Sequence, residues 1–213
     1  MQAALLFFWC NQMGLLSNSS SFVRFAVEGE LPDNFWDFAA RQIAAHSFKD
    51  IDDNFEERSV GWVSVTNMFD AEFAFASYAV SDYLVLSMRI DERKVPAAAL
   101  KKFCLKEEER IKREKQVPKL SRGHRLEIKE NVKLMLLKKA PPVPAVYDLC
   151  WNLAANTVIF FSTSAAAHAA LEELFKDTFG LHLVLQVPYL AAGHLLGPEQ
   201  ESALAALEPS ILL

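Results

Sequence analysis

Prolines frame the middle of this chain and leave it little choice of form. Pro96 stands where a helix can begin, because its missing N–H is one that a first turn cannot use. Ala97 to Lys115 is then built from strong helix formers. Val117-Pro118 breaks the run, and a second helix is expected from about Arg122 to Lys139. Pro141-Pro142-Val143-Pro144 ends the pair with a stiff extended connector. On the first helix Leu100, Phe103, Cys104 and Ile111 share one side. On the second, Leu126, Val132, Met135 and Leu136 are the expected buried stripe.

The same segment carries most of the positive charge. Arg89 to Lys139 holds 17 of the 22 Lys and Arg but only 8 of the 27 Asp and Glu, a formal charge of +9. The remaining residues carry −14, so the net charge of −5 hides the split. A local positive field steers and holds phosphate whatever the charge of the whole molecule. The candidate DNA contacts on the first helix are Lys101, Lys102, Lys106, Lys112, Arg113 and Lys115. Lys119 lies in the break, and Arg122, Arg125, Lys129, Lys133, Lys138 and Lys139 sit on or flank the second helix. Stacking on bases needs exposed aromatics among such cations. Only Phe103 is present, on the apolar side, which favours backbone contact to duplex DNA. Two other readings stay open: a solvated pair of mixed-charge helices, and a module whose basic helices meet an acidic protein.

The flanks read as mixed strands and helices. Phe22 to Leu31 partly alternates as a strand, and Pro32-Asp33 opens a helix through about His46. Asp50 to Arg58 is an acidic loop, Val60 to Val65 a short strand and Tyr83 to Ile90 a stronger one. Phe69 to Tyr78 is ambiguous between helix and strand. Beyond the prolines, strands are expected at Ala145 to Leu153 and Thr157 to Ser162, joined at Ala154-Ala155-Asn156. Ser164 caps a helix through Thr178 that Gly180 ends, and Leu181 to Val187 is a last strand. The tail beyond Gly193 fits one weak helix at most. The order implies an α+β fold with antiparallel sheets and a central basic helical pair. Residues 1–20 are set apart as an N-terminal extension, 21–190 as the folded region with its basic segment 96–140, and 191–213 as a tail.

Ala3 to Cys10 is a run of eight apolar residues, short of the roughly 20 that a membrane span needs. No Lys or Arg precedes it, so a signal peptide is not expected, and Met13 is the expected natural start. Cys10, Cys104 and Cys150 are scattered without a C-x-x-C pair, which suits a reducing cytoplasm. Enzyme motifs are missing: there is no G-x-S-x-G, P-loop, G-x-G-x-x-G or H-E-x-x-H. His46, His124, His168, His182 and His194 have no ligand spacing. Asp50-Ile51-Asp52-Asp53-Asn54 starts like a calcium loop but places Phe55 where the turn needs Gly and Gly61 where it needs Glu. No catalytic residue, metal or cofactor is expected.

Several stretches resemble the recombination-associated RdgC proteins of bacteria. They are Gly61-Trp62-Val63, the strand Leu84 to Arg89 with Glu92-Arg93-Lys94-Val95-Pro96 after it, and above all Lys119 to Ala140, KLSRGHRLEIKENVKLMLLKKA. The Trp151 strand, Ser162-Thr163-Ser164 and the Ala-rich helix continue the series in order, over roughly residues 20 to 190. The resemblance implies a cytoplasmic, nucleoid-associated and non-enzymatic protein that binds double-stranded DNA with little sequence preference. It further implies a homodimer whose two copies ring the duplex with a basic lining and restrain the strand-exchange recombinase. Typical members continue further at the C-terminal end. They often carry an aromatic and an Arg where this chain reads Pro141-Pro142-Val143.

Overall fold

A computed structural model describes residues 14–54, 56–73, 76–189, 192, 196 and 200–207. The Met13 start, Cys10 and His194 lie outside them. The chain divides into two compact units. The first comprises 1–47, 62–88 and 146–213, the second 48–61 and 89–145.

The class is α+β. The strands are β1 (Val23–Glu28), β2 (Arg58–Val63), β3 (Ala79–Val80), β4 (Tyr83–Arg93), β5 (Pro142–Asn152), β6 (Thr157–Phe160) and β7 (His182–Leu185). The helices are α1 (Phe35–Ala45), α2 (Ala97–Lys115), α3 (Arg122–Leu137), α4 (Ala165–Phe179) and a short α5 (Glu201–Ala205). The sheet runs β2-β4-β5-β6-β1-β7, with β3 added on β4. β1 pairs antiparallel with both β6 and β7, setting Phe25 beside Val158 and Leu185. The β5–β6 hairpin sets Trp151 beside Val158, and its turn places Asn156 at φ 46°. β1 stops short of the expected Leu31 because Gly29, at φ 130°, turns the chain there, and Leu181 sits where a Cβ would point.

The first unit is organised by aromatic burial. Trp151 is fully buried, with ring centroids of Phe175, Phe35 and Phe179 at 5.0, 5.2 and 5.2 Å. Trp62 is also buried and donates from Nε1 to Thr178 Oγ1 at 2.8 Å. In α4, Ala167, Leu171, Leu174 and Phe175 are buried at helical spacing, and Gly180 stops the helix in the left-handed region at φ 71°. Ser164 occupies the N-cap position but makes no side-chain cap bond, so the expected cap is one of position only.

β4 changes character where it passes from one unit to the other. Leu84, Leu86 and Met88 are buried at alternate positions on one face, and Ser87 is buried on the other. From Arg89 onward the buried residues are Arg89, Asp91 and Arg93, on the opposite set of positions. β5 begins at Pro142, where a connector was expected. Proline's fixed φ suits an extended strand, and Pro142 and Pro144, two apart, lack their N–H on the same side.

Candidate nucleic-acid interface

The second unit holds the basic segment. α2 and α3 pack on a narrow apolar seam: Leu120, Ile128 and Val132 are buried, with Leu100, Phe103, Cys104, Ile111, Val117 and Leu136 half-buried against them. The apolar side read for α2 is the one the fold uses. For α3 the stripe is corrected: Leu126 and Met135 are exposed, while Ile128 and Leu137 are buried beside Val132. Ser121 caps α3, its Oγ accepting from the His124 N–H at 3.2 Å.

Two of the segment's arginines are structural. Arg89 and Asp91 form a buried ion pair at 2.7 Å, and the Arg89 guanidinium lies 4.1 Å from the Phe48 ring centre. Arg93 donates to the carbonyls of Ile51, Asp52, Asn54 and Glu56 and to that of Ala140. The loop that starts like a calcium site thus turns carbonyls toward a guanidinium, while Asp52 and Asp53 stay exposed. No group of three or more potential metal ligands occurs among the described residues.

The thirteen candidate contacts fall into three sets. Lys101, Arg122, Arg125 and Lys129 line one groove of about 1050 Å³ between the helices, with Glu108 as the one carboxylate of that lining. Arg122, Arg125, Lys129 and Lys133 recur three and four residues apart, so they form one stripe along α3. None of these five cations is within 4.0 Å of a carboxylate among the described residues. Lys106, Arg113, Lys115 and Lys139 line a second groove of about 960 Å³, together with Glu107, Glu109, Glu114 and Glu127.

The two arginines there are paired, while Lys106, Lys115 and Lys139 sit among the glutamates without an ion pair among the described residues. Arg110 bridges Glu107 and Glu114, each at 2.5 Å, and Arg113 reaches Glu109 at 3.7 Å. The Arg110 hydrogen bond holds the Glu107 carboxyl below its usual range, and the two glutamates hold the Arg110 guanidinium protonated more firmly than usual. The third set lines neither groove: Lys102, its ammonium 5.9 Å from the Phe103 ring centre, half-buried Lys112, exposed Lys119 and Lys133, and Lys138 at the C-cap of α3.

Sequence reading missed two apolar members of the first groove. Leu105 is 54% exposed and Leu126 61%. Helical spacing already sets Leu105 away from the Leu100–Ile111 side. Cys104 lies in the same lining; burial pushes its thiol pKa up, Glu108 adds to this and Lys129 opposes it.

No helix among the described residues is long and apolar enough to cross a membrane. A search of curated proteins finds no match. Compared with protein families, residues 29–191 match the model of the family described as "Putative exonuclease, RdgC", a span that takes in α1 to α4 and strands β2 to β7, both basic helices included. The chain therefore belongs to the RdgC family.

Proposed function

We propose that the chain binds duplex DNA without sequence preference and restrains homologous recombination by occupying it. It does so as a cytoplasmic, nucleoid-associated homodimer without enzymatic activity. The observation that carries this reading is the α3 stripe, Arg122, Arg125, Lys129 and Lys133, with Lys101 across the groove. These cations are exposed and unpaired with carboxylates among the described residues, so phosphate can take them without first displacing a partner. Family membership supports the recombination setting. Lys106, Arg113, Lys115 and Lys139 share their groove with four glutamates and contribute less.

Binding of random-sequence duplex across a salt series tests the first half. Log affinity should fall linearly with log salt. Charge reversal at Lys129 and Lys133 together should weaken every sequence alike and reduce the slope by about one for each phosphate that is no longer neutralised. An unchanged slope and affinity would remove the proposed surface. The family's description names an exonuclease, so labelled linear duplex incubated with the protein and Mg²⁺ or Mn²⁺ tests the second half. Intact ends support a holding role; release of mononucleotides refutes it.

A further inference from the structure

The groove beside Lys101 carries chemistry that a phosphate backbone does not use. Leu105 and Leu126, more than half exposed, line it together with half-buried Leu100 and Cys104, in the midst of Lys101, Arg122, Arg125 and Lys129. We propose that this groove also docks a short acidic amphipathic helix of a partner protein, leucine-type side chains against Leu100, Leu105 and Leu126 and carboxylates on the four cations. The inference rests on the DNA-binding reading only in sharing those cations.

Three considerations select this occupant. Apolar surface and unpaired positive charge lie in one lining, and an acidic helix with an apolar stripe matches both at once. A leucine that wedges between base steps must protrude, whereas these line a concavity of about 1050 Å³, and a duplex offers no apolar convexity to fill it. A second copy presenting the same surface would set cation against cation.

The test uses the full chain and a labelled synthetic peptide, glutamate-rich, with leucines at i, i+3, i+4 and i+7, followed by fluorescence anisotropy. The peptide should bind, and versions with leucine replaced by serine, or glutamate by glutamine, should bind at least about tenfold more weakly. Leu126→Ala combined with Leu105→Ala should cost the peptide about tenfold while leaving duplex DNA affinity within about twofold. Both side chains are largely exposed, so truncation should leave the circular dichroism spectrum unchanged. Peptide binding that ignores the leucine changes overturns the proposal. Equal losses for peptide and DNA overturn it too, since the leucines would then be DNA contacts. Failure of the salt series with success of the peptide assay would sink the DNA reading and leave this one standing.

Discussion

The aromatic unit and the unit bearing the helix pair stay folded by different means. The first buries Trp62, Trp151, Phe25, Phe160 and Phe175 to 1% exposure or less. In the second, the 19-residue α2 has no fully buried residue, and its partner helix supplies Ile128 and Val132 to a narrow seam. Elsewhere in this unit, buried polar chemistry takes the place of volume: the Arg89–Asp91 pair and the five carbonyls on Arg93. A helix pair buried only along one narrow seam leaves most of its surface open. The large buried aromatics of the first unit and the unpaired cations of α3 are therefore segregated between the units. Substitutions should divide accordingly.

The largest stability effect is expected in the first unit. Trp151→Ala empties a site walled by Phe35, Phe175 and Phe179 and should cost about 3–5 kcal/mol. The loss should exceed any from a single hydrophobic truncation in the seam. The second unit contains no tryptophan, so the fluorescence of the three remaining tryptophans during urea denaturation reads the first unit directly. A cost below about 1 kcal/mol would show that the aromatic cluster does not dominate there.

In the second unit the comparable position is charged. Asp91 is 1% exposed and Arg89 5%, so Asp91→Ala deprives a buried guanidinium of its carboxylate and should cost about 3 kcal/mol. Replacing both partners, Arg89→Met with Asp91→Leu, should recover most of that, because a buried pair contributes little beyond its apolar equivalent. Circular dichroism during denaturation, to which α2 and α3 contribute, reads the outcome. A double variant as unstable as the single one would mean that Arg89 is needed for more than its partner.

Periodicity made much of this fold legible. Leu84 and Leu86 alternate, the α4 apolar positions repeat at helical spacing, and the expected limits of the helix pair lie within two residues of those observed. What periodicity cannot supply is which of two adjacent apolar stripes a neighbour covers. Leu126 and Ile128 lie on different sides of α3, and only the packing with α2 decides that Ile128 is buried and Leu126 exposed. Counting charge has the same limit. Arg89 and Arg93 enter the +9 like any other cation, yet both are withdrawn into buried polar contacts. The Glu107–Arg110–Glu114 bridge was readable from its three- and four-residue spacing. The division of the remaining cations between two grooves was not, since it depends on how one helix lies against the other.

The smallest expected effect sets the two units side by side at equivalent positions. Ser121 and Ser164 are both N-cap serines with extended backbone, at ψ 163° and 122°. Ser121 Oγ accepts from the His124 N–H, whereas the Ser164 side chain makes no cap bond. Ser121→Ala should therefore cost about 1 kcal/mol, and Ser164→Ala only a few tenths, within the range of ordinary surface changes. α4 can do without its cap because seven of its residues are buried and fix it from the side. α3, with three, depends more on what holds its first turn. Equal costs for the two substitutions, measured by denaturation of each single variant, would mean that local capping and lateral burial do not substitute for one another in this protein.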